Sequence, residues 1–147
     1  MRWAWPLALL AAGLLLPGEA RASSCAWGPF YVEFESGQGR LPAKGRPVLD
    51  YIVAVAALRP GEDDCGTVER IVVQGHSDRV GPARRNLALS RHRAEAVRAY
   101  LVAHGVREDM LTTEALGEID PPVETPDGVE EAENRRVVII FAPRSAA

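Results

Sequence analysis

Asp78 and Arg93 are the residues whose chemistry and spacing first call for an explanation. Gly81-Pro82 turns the chain into a helix predicted to run to about His104, with Gly105 as its natural stop. On that helix Asn86, Ser90, Arg93 and Val97 follow an i, i+4, i+7, i+11 spacing and share one stripe. Leu89, Ala96, Tyr100 and Leu101 fall on the same side, whereas Arg91, Glu95 and Arg98 point away. The Arg93 guanidinium therefore heads toward the core, where a charge is costly without a partner. Asp78 is the nearest candidate. It lies just past a strand-forming run, and ends of strands in α/β sheets are favoured ligand sites. Two readings stand open. In one, Arg93 and Asp78 form a salt bridge that only orders the loop. In the other, they face a ligand with both charges, Asp78 receiving an ammonium and Arg93 a carboxylate. A planar guanidinium fork suits two carboxylate oxygens.

Other chemistries find less support. His76 and Asp78 sit two apart on a turn, but a metal wants three or four converging ligands, so no metal site is expected. Ser90 lacks a base: His92 lies on another helix face, and His104 lies about four turns along. No nucleophile elbow is present. Neither catalysis nor a cofactor is expected, and His76 reads as a hydrogen-bonded turn residue.

The elements that must position these groups follow from periodicity. Phe30 to Glu35 reads as a strand with one buried face, ended by Gly37-Gln38-Gly39. A helix starts between Pro42 and Pro47 and presents Val48, Leu49, Ile52, Val53, Val55, Ala56 and Leu58. Arg59-Pro60-Gly61 stops it, and acidic Glu62-Asp63-Asp64 follows. Val68 to Gln74 reads as a central strand buried on both faces. Met110 to Leu116 is a third strand, Pro121 to Gly128 a loop, Glu130 to Asn134 a short helical turn, and Arg136 to Phe141 a final strand. The order strand-helix-strand-helix-strand-strand predicts an α/β fold, an α+β sandwich whose mixed sheet carries its helices on one face.

The 147 residues suffice for one domain. A basic start, an apolar run to Leu16, a Pro17-Gly18 break and Ala20-Arg21-Ala22 make residues 1–22 a cleavable secretory signal. The alternative is a retained anchor, but the run falls short of the ~20 apolar residues a membrane-spanning helix needs. Nothing downstream is long and apolar enough, so no transmembrane span is expected in the mature chain. Residues 23–29 would be a linker, 30–142 the domain and 143–147 a tail. Without the signal, 15 basic and 19 acidic residues remain, which gives no reason to expect nucleic-acid binding. Cys25 and Cys65 are an isolated pair, expected to form one disulfide in an oxidising compartment. Closing that loop would be worth ~3–4 kcal/mol. The alternative is a lipidated Cys25, although Ala22-Ser23-Ser24-Cys25 lacks the usual leucine three residues ahead.

Asn86-Leu87-Ala88-Leu89-Ser90-Arg91-His92-Arg93-Ala94 resembles the N-x-x-L-S-x-x-R-A signature of OmpA-like peptidoglycan-binding domains, a family that includes the Pal lipoproteins and the flagellar motor protein MotB. Gly75-His76-Ser77-Asp78 resembles the family's G-H-T-D turn, Phe30 to Ser36 its V-x-F-D-F-D-S strand, Leu116-Gly117-Glu118 the end of G-Y-G-E, and Asn134-Arg135-Arg136-Val137 its N-R-R-V. The five ordered blocks run from about Phe30 to Phe141. The resemblance implies non-covalent binding of peptidoglycan through the diaminopimelate of its stem peptide. The domain would then work in the periplasm, associated with the outer membrane and linking the cell envelope to the wall, with envelope proteins as further partners. It implies roles for Asp78, Arg93, Asn86 and Ser90, and for Arg135 or Arg136, with further contacts from Glu33 and Glu35 of the first strand. The sequence departs from the pattern in places. Glu33 and Glu35 replace aspartates, Ser77 replaces threonine, Arg85 stands where an aromatic is common, and Ala115-Leu116 replaces Gly-Tyr. Val129-Glu130-Glu131 is acidic where the family often carries an arginine. A rival reading is a periplasmic protein-interaction module of the same fold that does not bind the wall.

Overall fold

The computed structural model describes residues 28–58 and 68–143. The expected signal segment, both cysteines, the turn after Leu58 and the tail beyond Pro143 lie outside the described residues. Four strands and two helices make up the rest: β1 (Phe30–Glu33), α1 (Arg46–Ala56), β2 (Val68–His76), α2 (Ala83–Ala103), β3 (Leu111–Gly117) and β4 (Arg136–Pro143). Single 3-10 turns precede α1 and β3.

The sheet order is β1-β4-β2-β3. β4 runs antiparallel to both β1 and β2, while β2 and β3 are parallel and joined through α2. The sheet is mixed, with its helices on one face, as the element order predicts. Ile71 and Val73 of β2, Val137 and Ile139 of β4 and Val32 of β1 meet Leu49 and Ile52 of α1 and Val97 and Leu101 of α2 in one core. The period-2 alternation of the strands and the i, i+4 spacing of the helices both aim at this layer. Among the described residues, no helix is long and apolar enough to cross a membrane.

Several local expectations need correction. β1 ends at Glu33 rather than Glu35, although the Phe34 amide still donates to the Arg135 carbonyl at 2.8 Å. β2 continues two residues past Gln74 to His76 through a register shift at Gly75 and His76. It is fully closed only on its helix-facing side, because Val72 and Gln74 face the less covered side and stay half-buried. Within Glu130 to Asn134 the expected turn is confined to 132–134, closed by the Arg135 amide on the Ala132 carbonyl at 3.1 Å. The Asn134 side chain anchors the turn: its Nδ2 donates to the Val123 carbonyl at 2.8 Å and its Oδ1 accepts from the Val123 amide at 3.2 Å. That pairing ties the turn across the loop to Val123. On α2, Ala94 is fully buried, whereas Leu89 and Ala96 are only half-buried.

Candidate functional site

The expected stripe on α2 is the most closely packed surface of that helix. Asn86, Ser90, Arg93 and Val97 are all buried. Ser90 joins helix to sheet: its hydroxyl donates to the Leu87 carbonyl at 2.8 Å and accepts from the Gly117 amide at 2.9 Å. Gly117 has φ +58, a left-handed conformation glycine adopts without strain, and its carbonyl takes the Ser77 amide at 2.8 Å. Asn86 donates to the Glu118 carboxylate at 2.7 Å. The ends of β2 and β3 and the start of α2 are thereby fixed to one another.

Among the described residues Arg93 is the largest fully buried side chain, with 0% exposure. Its Nε donates to the Gln38 carbonyl at 2.8 Å, one terminal nitrogen to His76 at 2.9 Å and the other to Glu35 at 3.0 Å. The guanidinium carbon also lies 5.3 Å from the centre of the Phe34 ring, in cation–π range. Arg93 thus ties the segment after β1 to the end of β2. Burial pulls its pKa down to about 10; the charge of Asp78 opposes that shift and the charge of Arg135 adds to it. It remains a cation at neutral pH.

Asp78 lies beside this group, 4% exposed, but its carboxylate bonds elsewhere. Its Oδ2 accepts from Arg135 at 3.1 Å, and the Arg135 Nε donates to the Phe34 carbonyl at 3.2 Å. Arg93 forms no salt bridge among the described residues, so the close ion pair at this corner is Asp78–Arg135. The sequence singles out Asp78 and Arg93 for each other. The structure brings them into one cluster, joined through electrostatics rather than a direct bond.

Arg136 points elsewhere. Alternation along β4 sends it to the other face, where it lines a hollow with Tyr31, Glu33, Pro122 and Glu133 and donates to the Glu133 carbonyl at 3.3 Å. Glu33 and Glu35 are exposed and lie 3.2 and 3.9 Å from the Lys44 ammonium, Glu33 facing the Arg136 hollow. Nothing in the sequence marks the three carbonyls that hold Arg93, because every residue carries one. The Phe34 ring was legible only as a buried strand residue.

His76 lies at a strand end rather than on the expected turn, though it is hydrogen-bonded as expected, to the Ile119 backbone. It is the last residue of β2, 4% exposed, and its Nδ1 has no hydrogen-bond partner among the described residues. Burial, then the nearby Arg136 charge, push its pKa below the usual 6.5, against the pull of an Ile119 backbone hydrogen bond and Asp120. The unfolded chain therefore takes up a proton near pH 6.5 that the folded chain refuses, so stability falls as the pH drops below that point. Urea unfolding between pH 7.5 and 5 should show a loss of at most about 1.4 kcal/mol per pH unit from this group. A His76→Gln variant should flatten the profile, and an identical profile in both proteins would assign the loss to other groups.

This fold has counterparts among known proteins. Outer membrane protein A of Bordetella avium is 31% identical over 106 residues, covering 72% of this chain and 51% of that protein. The peptidoglycan-associated lipoprotein of Pasteurella multocida is 38% identical over 72 residues, covering 49% of this chain and 48% of its own. The chain thus spans about half the length of these curated relatives. The crystal structure of the peptidoglycan-associated lipoprotein from Burkholderia pseudomallei superposes with a TM-score of 0.66 at 27% identity, covering 76% of this chain and 89% of that one. A family model matches residues 33–135, a span that includes the Asp78 turn, the α2 stripe and Arg135, and on that match the chain belongs to the OmpA family.

Proposed function

We propose that this domain binds peptidoglycan non-covalently, without catalysis, by gripping the diaminopimelate of the stem peptide at the corner where β2 meets α2. The observation that carries this reading is a charge imbalance. Arg93 and Arg135 are two cations around a single buried anion, Asp78. A nearly enclosed excess positive charge is costly, and a ligand carboxylate would neutralise it. Arg93 commits all three of its nitrogens to carbonyls and is fully buried, so it contributes its charge and holds the corner, while the partly exposed Arg135 offers the ligand oxygen an N–H. Asp78 gives Oδ2 to Arg135 and has Oδ1 for an ammonium. The side-chain end of diaminopimelate carries both charges. Asn86 and Ser90 act by holding the β3 end and α2 in place, and Arg135 in preference to Arg136 completes the grip.

The relatives named for peptidoglycan association support the same reading, as do those named for the outer membrane. They also favour a periplasmic location beside the outer membrane, with the domain linking envelope to wall. The test is cosedimentation of the full chain with insoluble diaminopimelate-type peptidoglycan. Asp78→Asn keeps the shape and removes the charge, and should weaken binding about ten- to a hundredfold. If the folded variant sediments like wild type, the site is elsewhere. If neither protein sediments while an envelope protein is captured, the domain is an interaction module instead.

A further inference from the structure

The excess positive charge at this corner has one other neighbour of opposite sign. Glu130 places Oε2 4.0 Å from Arg135, and its Oε1 accepts from the Ser36 hydroxyl at 2.9 Å. The same Arg135 nitrogen bonds Asp78 at 3.1 Å. Glu130 is not there by chance of a free side chain. Its loop is fixed on one side, where the Gly128 amide donates to the Arg79 carbonyl at 2.7 Å and Arg79 pairs with Asp127 at 3.0 Å. It is fixed on the other by the pairing of Asn134 with Val123. The two carboxylates around Arg135 differ in kind. The Asp78 side chain is 5% exposed, whereas that of Glu130 is 62% exposed and lies against the cation only from outside. A pair this open to water is weak and exchangeable.

From these contacts we infer that Glu130 is an internal competitor for the ligand's carboxylate, and so sets how tightly the site takes a diamino acid bearing a free carboxylate. The inference rests on the wall-binding reading above. When the site is empty, Glu130 supplies the charge that Arg93 and Arg135 lack. An incoming carboxylate must displace it from Arg135 and from Ser36. A ligand end that is only an ammonium meets no such competition, because Glu130 attracts it.

The experiment measures release of the full chain from diaminopimelate-type peptidoglycan by two soluble competitors. One is meso-diaminopimelate; the other is cadaverine, the same chain with both carboxylates removed. Glu130→Gln should lower the diaminopimelate concentration that halves binding by about three- to tenfold. The cadaverine value should stay the same or rise. Glu131→Gln removes the same charge from a side chain that accepts from the Glu133 amide, and should change neither value. Equal diaminopimelate values in wild type and Glu130→Gln, or an equal gain from Glu131→Gln, overturn the competitor role and leave wall binding standing. Failure of diaminopimelate to release wild type and variant alike overturns the diaminopimelate reading and this inference with it.

Discussion

Replacing Arg93 with methionine should lower the stability of the domain by about 3–5 kcal/mol, read as the shift in a urea unfolding curve. Methionine fills much of the same space, so the loss is not mainly a cavity. It comes from three charge-assisted hydrogen bonds, to the carbonyls of Glu35, Gln38 and His76, that methionine cannot replace. An unsatisfied buried acceptor costs roughly 1–3 kcal/mol; the His76 bond is the buried one, those to Gln38 and Glu35 are part-buried, and the Glu35 carbonyl keeps the Gln38 amide at 3.1 Å. Relief from burying the guanidinium offsets part of this, which keeps the expected total below the sum. Arg93→Lys should fall between: it keeps the charge over Phe34, but a compact ammonium cannot serve three carbonyls set around a planar fork. A methionine variant within about 1 kcal/mol of wild type would falsify this role. The consequence for binding experiments is direct. Any Arg93 variant confounds lost contact with lost architecture, so Asp78→Asn is the cleaner probe of the ligand.

How far the sequence showed this corner depends on what kind of signal each residue leaves. The buried stripe on α2 was legible because helical spacing places Asn86, Ser90, Arg93 and Val97 on one line whatever they touch. The strands were legible from alternation and apolar runs. The partner of Arg93 was not, because backbone carbonyls have no sequence signature and charge logic points to the nearest acid instead. Asp78 meets Arg135 across 57 residues, and only the β4 register separates Arg135 from Arg136. One position more or less at the strand start exchanges their faces. The turn at 132–134 is legible as a turn, but its anchoring is not: the Asn134 side chain makes a backbone pairing with Val123 that local propensity does not contain. The burial of His76 is not legible, because the strand runs two residues past its apolar core and carries a polar residue into a buried place.

The close fit of α2 on the sheet yields the second large effect. Gly75→Ala should cost at least about 3 kcal/mol. A methyl carbon built on Gly75 falls 1.9 Å from the Ser90 carbonyl oxygen, 2.8 Å from its carbon and 3.3 Å from the Ala94 side chain. The first two are backbone atoms in mid-helix, so no side-chain rotation relieves them. Either α2 moves off the sheet or β2 distorts. Glycine-to-alanine changes usually gain about 0.4–1 kcal/mol by restricting the unfolded chain, and here that gain is too small to compensate. Gly28→Ala is the matched control, since an added carbon there meets nothing within 4 Å. Moving α2 also breaks the Ser90–Gly117 bond and shifts Arg93 relative to its carbonyls. Hydrogen exchange at the Gly117 amide should therefore accelerate in whatever Gly75→Ala protein folds, whereas unchanged protection and an unchanged unfolding curve would mean the helix sits farther from the strand than this packing requires.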